Sequence, residues 1–465
     1  MKNMAHAVVC SALIFCSQSA AFAVQPDNMG TGPAANSSPV TIDQNAAIER
    51  LTRNILLNEI KLEKFNLHFR IESAKQGRWK GLRFFSLQEI NSGCTEGGLI
   101  TGVAERGAHI HARQSRGLSE NVITNGSNLP PGIGQVIGAG ADGIELGLNG
   151  YHKLQASKHG FSAAQARTYV RDSLNNIDAE IAARDKLIEE HPDELTEMRK
   201  LESVVLNDHR NLPLAEFEDA LLYARSRIAQ QQAFYFLDIF KNATGASGNL
   251  MGFKALSDHR RYYNVSAGLL STISGGLIMI DPILSRLCSS AVSKIQQRNL
   301  SKYQLNSLQV DTFRTEAHLN ALREYCRSHK TSNDPRIASV LGRVWAYDET
   351  GQQFARHFDR NAQALIRGDR IAIQNMGSGL FVGASKIGTG VPLMIAASYE
   401  RPVANSLIFA GNVSYLTGTT YSLLDNARIQ YKREIDNHRL SAQHELPSQL
   451  VRARLARLEE MERKL

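Results

Sequence analysis

The feature that most limits what this chain can fold into is an uncharged run. From Asn264 through Ile280 no residue carries a charge, and the apolar character extends across Asp281 to Leu284 (residues 264–284, NVSAGLLSTISGGLIMIDPIL). So much apolar surface must leave water, into a core or into lipid. Two further Gly-rich apolar blocks, residues 130–150 and 376–424, share its style. Each block is followed by a long, charged arm with helical patterning, at 130–210, 264–326 and 376–465. The theme recurs without residue-level identity, so it is a repeat of style and not of sequence.

Helices are the expected answer to that pattern. Aromatics make up 7% of the 465 residues, with two tryptophans, Trp79 and Trp345. Burial must therefore lean on Leu, Ile, Val and Ala. With 43% hydrophobic and 21% charged residues, wholesale disorder is excluded.

Residues 1–23 have the three parts of a secretory signal: Lys2, an apolar run over 7–16, and the small-x-small end Ala21-Phe22-Ala23. The run is short of the roughly 20 residues that span a bilayer. Residues 24–41 read as a Gly/Pro/Ser-rich tether. Cleavage after Ala23 would leave Cys94, Cys288 and Cys326, of which Cys288 and Cys326 are the expected pair.

Residues 42–76 predict an N-terminal helix. Ile48, Leu51, Ile55, Leu62, Phe65 and Phe69 step by three and four, with Asn58 in the missing place, at heptad spacing. Residues 77–150 read as a Gly-rich irregular region carrying the first apolar block. Its part near 82–126 is the least helical stretch, and short strands fit around 99–103. Glycines 134 and 138, and again 143 and 147, are four apart and would share one helix face.

Residues 151–330 form a helical region around the central apolar segment. Val170, Leu174, Ile177 and Ile181 give a clean stripe, continued by Leu195, Met198, Leu201 and Val205. Breaks are expected at His191-Pro192, at Asn211-Leu212-Pro213 and in a loop over 245–252. Residues 331–465 form a second helical region, with an apolar hairpin at 376–424 turning at Glu400-Arg401-Pro402, and a polar C-terminal helix. Asp334 before Pro335 is a cap signal. The fold class is thus mainly α: long amphipathic or coiled-coil-like helices around Gly-rich apolar helical hairpins.

Chemistry is sparse. Gly134-x-x-x-Gly138-x-Gly140 has the spacing of some dinucleotide loops, but Pro130-Pro131 stands where a strand should precede it. His109-Ile110-His111 is a spacing usable for zinc, without an identifiable third ligand. Asp208-His209-Arg210 and Asp258-His259-Arg260 read as polar helix ends, because sequence neighbours on a helix do not face one another. No catalytic, cofactor-binding or metal-binding residue is assigned, and no cofactor is expected.

The formal charge of +8 favours anionic lipid over acidic surfaces. The basic residues are interleaved with acids and no base-stacking motif is visible, so nucleic acid is not an expected partner. The expectation is an exported cell-envelope protein with a structural or interaction role. It would associate with membrane lipid or partner helices through the Gly-rich blocks, and self-associate through its arms. The alternative is a secreted or periplasmic enzyme, metal-dependent, with a site in 93–150 built from His109, His111, Asp142 and Glu145.

Overall fold

The computed structural model describes residues 44–74, 80–111, 120–258, 262–305, 312–329, 334–443 and 445–465. The expected signal and tether, and Trp79, lie outside the described residues. Every described element is an α-helix: α1 (Gln44–Ala74), α2 (Lys80–His111), α3 (Glu120–Lys158), α4 (Ala163–Glu190), α5 (Thr196–Ser257), α6 (Tyr262–Lys302), α7 (Thr312–Ser328), α8 (Pro335–Ala396), α9 (Arg401–Ala442) and α10 (Pro447–Lys464).

Several boundaries are where local chemistry puts them. Ser162 caps α4 in a capping box with Gln165. The Asp334 carboxylate accepts from the Arg336 amide at 2.8 Å, and Pro335 occupies the first turn of α8. Pro402 opens α9 after the turn at Glu400.

Other sequence expectations are corrected. The stretch near 82–126 holds no strand among its described residues; it is α2 and the start of α3. The 211–213 break and the 245–252 loop are both absent, because α5 runs unbroken through Pro213 and all of its glycines. A helical glycine costs about 1 kcal/mol against alanine. Here many of those glycines face a neighbouring helix, whose close approach offsets that cost. Cys94, Cys288 and Cys326 are not joined to one another by a disulfide; Cys326 is packed inside an apolar core, so the expected Cys288–Cys326 pair does not form.

The helices make two regions. The first is a lobe with a conventional core, built by α1, α4, α7, α10, the N-terminal halves of α5 and α8, and the C-terminal end of α6. Ile55, Leu62, Val170, Ile177, Leu206, Phe217 and Leu221 are sealed in it. At its centre lies a buried ion network. Arg184 donates to the Glu202 carboxylate at 2.6 Å and to the Thr52 hydroxyl at 2.8 Å. Arg343 reaches the same Glu202 at 2.9 Å, and the Tyr347 hydroxyl donates to it at 3.1 Å. Burial pushes the Glu202 carboxyl up, but the two guanidinium groups outweigh it and hold the group below the usual carboxylate range.

The second region is a closed ring of six antiparallel helical segments, in the order α2, α3, α5, α6, α8, α9 and back to α2. Its connections at the end far from the lobe fall at 112–119, 259–261 and 397–400. At the other end α5, α6 and α8 continue directly into the lobe.

Candidate functional site

The ring closes because small residues let backbones meet. Gly268 and Gly275 of α6 stand opposite Gly390 and Gly383 of α8, seven residues apart on each helix. A Cβ on Gly268 would lie 2.5 Å from the Gly390 carbonyl oxygen, and one on Gly383 would lie 2.6 Å from that of Gly275. Both are closer than any Cβ tolerates, so these are obligatory glycine contacts. Gly134 and Gly138 of α3 receive Asn91 of α2 in the same way, as their spacing predicts; Gly143 and Gly147 meet nothing. The last joint, between α9 and α2, is polar. Arg106 donates to Asn405 at 2.8 Å and Thr420 donates to Glu96 at 2.5 Å.

The outer face of the ring is apolar all the way round. Across residues 82–108, 127–151, 231–253, 262–285, 376–399 and 402–427, no exposed residue carries a charge. That face instead displays Ile90, Ile133, Phe240, Leu269, Ile273, Phe381 and Val413, each more than a third exposed. Exposed charges return only at the ends: Lys254, Asp258 and Glu400 on one side, Arg286 and Arg428 on the other. At 1.5 Å per residue the uncharged belt is about 35–40 Å tall. Two of its segments, within Tyr262–Lys302 and Met376–Ala396, are long and apolar enough by composition to cross a bilayer.

Inside, the ring is polar. A cavity of about 90 Å³ is lined from all six helices, by Thr95, Gln135, Asn249, Ser271, Lys386 and Asn412 among others. It has room for several waters. Lys386 is buried at its floor, donates to the Ser274 hydroxyl at 2.7 Å and faces the Tyr415 ring at 5.4 Å. Ser274 in turn donates to the Lys241 carbonyl at 2.8 Å.

Towards the lobe, below that floor, side chains fill the axis. Lys241 pairs with Asp238. Asn242 donates to Asp238 at 3.2 Å and to Asp142 at 3.4 Å. Asp142 and Asp238 thus share one donor, the Asn242 amide. Gln88 donates to Asp238 at 3.3 Å, and Asp281 faces the same group while accepting from Ser285. One layer further on, Glu145 pairs with Arg83, and Lys80 donates to Asn149 at 3.2 Å and Gln231 at 3.4 Å.

Of the four residues of the alternative site, Asp142 and Glu145 lie on this axis. The side chains of His109 and His111 fall outside the described residues. Asn242 links Asp142 to Asn91 of α2, and His109 stands about 27 Å further along that helix than Asn91. The four are not brought together. Among the described residues no group of His, Cys, Asp and Glu is arranged to hold a metal.

The Asp208–Arg210 triplet is also corrected. It lies in mid-helix and not at an end: Asp208 meets His318 at 2.6 Å, Arg210 clasps Asp178 with two bonds of 2.7 Å, and His209 is buried. Asp258 does cap α5, while His259 and Arg260 lie outside the described residues.

Sequence reasoning missed Asp238, Lys241, Asp281 and Lys386 as site residues. The signal that finds them is a lone charge inside an otherwise apolar stretch, at matching depth in several helices. Comparison with family models, curated proteins and solved structures finds no match to this chain.

Proposed function

We propose that the six-helix ring is embedded in a lipid bilayer and that the helical lobe is what the protein presents to partners in the aqueous phase. The uncharged belt carries this reading. Its height matches a hydrocarbon core of about 30 Å with part of each interface, and it is uninterrupted around all six helices. A soluble bundle places charge on its outer faces, as the lobe does. Half-buried charges within the belt turn onto neighbouring helices, as Glu96 and Arg106 do, which is how polar groups are accommodated in lipid.

With the signal read in residues 1–23, the protein is an exported component of the cell envelope with a structural or interaction role. The Gly-rich segments act as antiparallel hairpins in the membrane. The long amphipathic helices of the lobe are the coiled-coil-like surface for partner helices or a second copy.

Membrane fractionation of the full chain tests this. The protein is expected to remain with the membrane through a carbonate wash and to dissolve only in detergent. Release by carbonate would discard the reading.

A further inference from the structure

Resting on the membrane reading, the structure assigns a further activity to the ring: we propose that its axis conducts protons across the bilayer through the Asp142–Asp238 carboxyl pair. Four observations carry this. First, the polar groups form one line. On α3 the cavity is lined by Ser127, Asn128 and Gln135, and Asp142, Glu145 and Asn149 follow. From Ser127 to Asn149 is about 33 Å at 1.5 Å per residue, close to the thickness of a hydrocarbon core. Second, the line is open to water only for its first part. Below Lys386 packed side chains replace the cavity. Hydrated ions need a continuous column of water, whereas a proton needs only groups that accept and release it.

Third, the two carboxyl groups converge: both accept from the Asn242 amide, Asp142 at 3.4 Å and Asp238 at 3.2 Å. Two buried carboxylates on one donor repel when both are ionised, so the pair favours holding a proton between them. Fourth, this layer contains buried polar atoms without a hydrogen-bond partner among the described residues. They are Asn91 Oδ1, Asp142 Oδ1 and, one layer on, Asn149 Nδ2. Asp142 is wholly buried and Glu145 nearly so.

Charged and titratable groups surround the pair from several elements: Lys241 and Tyr235 of α5, Asp281 of α6 and Lys386 of α8, with Glu145 of α3 next in line beside Tyr235. In each hop one O–H or N–H bond forms as another breaks. The proton enters from water in the cavity, rests on the pair and leaves past Glu145 on the lobe side. No oxidant or reductant is consumed, and counter-ion flow balances the charge.

The test uses the full chain reconstituted in phosphatidylethanolamine–phosphatidylglycerol vesicles. The vesicles hold a pH-reporting dye and potassium, and valinomycin supplies the balancing potassium current. Vesicles with the wild-type chain are expected to change internal pH at least tenfold faster than empty ones. Asp142→Asn with Asp238→Asn should abolish that excess, and Asp238→Glu should keep most of it. A carbodiimide that modifies buried carboxyl groups should block the unmutated protein, which tests the pair without any variant. Vesicles that float with protein bound yet hold their gradient would overturn this inference and leave the membrane reading standing. Protein that fails to float would remove both. Entrapped calcein escaping as fast as protons would show an open aqueous hole in place of a relay.

Discussion

The lobe and the ring solve the same packing problem in opposite ways. The lobe places Leu, Ile and Phe inside and most charge outside, and its buried charges stand in ion pairs such as Arg184–Glu202–Arg343 and Glu63–Arg454. The ring places glycine, amides and carboxyl groups inside and Ile, Leu and Phe outside. The lobe is therefore held by removal of apolar surface from water. Under the proposed membrane setting the ring has no such drive, and close van der Waals contact with interhelical hydrogen bonds must hold it. Substitutions that distinguish the two mechanisms test the division.

The largest effect is expected in the lobe. Arg184→Met removes the guanidinium that serves Glu202, Thr52 and Ser203, leaving their polar atoms buried beside an apolar chain. Breaking a buried pair from one side costs on the order of 4 kcal/mol. Denaturant unfolding should lose that much stability, while the ring's affinity for detergent micelles is unchanged. A cost below about 1 kcal/mol would mean that the network is not a unit.

In the ring the sensitive atoms are hydrogens. Gly383→Ala sets a methyl against the Gly275 carbonyl oxygen and Met279, forcing α6 and α8 apart, for roughly 2 kcal/mol. Gly276→Ala, one residue from that contact, meets nothing and should gain about 0.5–1 kcal/mol from helix propensity. Thermal unfolding in micelles reads both. Equal effects from the two alanines would refute the glycine contact as the source of ring stability.

Acid separates the regions again. Burial pushes the His209 imidazole down to about 4, from an ordinary value near 6.5. A base depressed in the folded state binds fewer protons than the unfolded chain between those values, so stability is full above pH 6.5 and falls as pH drops towards 4. Between pH 8 and pH 5 the loss is about 2 kcal/mol. Glu202, held below the usual carboxylate range, adds loss in the same direction at still lower pH. His209→Asn should flatten the profile between pH 6.5 and 5, measured as the midpoint of lobe unfolding. An unchanged profile in that variant would exclude His209 as its origin.

What the sequence made legible follows from this contrast. Apolar periodicity finds a helix whose one face enters a conventional core. Val170, Leu174, Ile177 and Ile181 are all buried as their spacing predicts. Caps at Asp334 and the turn before Pro402 were equally readable. In the ring the pattern shifts, and the buried positions include Gly98, Gly102, Gln135, Gly138 and Asn242. Read with the rules of water, glycines at 93, 97, 98, 102 and 107 signal irregular chain. Here most of them are contact points within α2. The axial groups were hidden for another reason. Asp142, Asp238, Asp281 and Lys386 are far apart in sequence, and only the antiparallel register brings them to neighbouring depths.

The smallest expected effect bears most directly on what covers the belt. Leu269 of α6 is half exposed, and in the lobe a leucine such as Leu221 is fully buried. Leu221→Ala should cost 2–5 kcal/mol, as for any truncation in a core packed against protein. On the membrane reading, Leu269→Ala exchanges one lipid-facing apolar group for a smaller one. It removes few protein contacts and no water-excluding role, so the change should stay within about 0.5 kcal/mol. If the face were instead seated on a second copy or a partner helix, the same truncation would approach the core value and would lower the oligomeric state. Unfolding in micelles, with particle mass measured alongside, therefore reads whether lipid or protein completes the ring. A loss of 2 kcal/mol with a fall in mass would move this face from the bilayer to an interface.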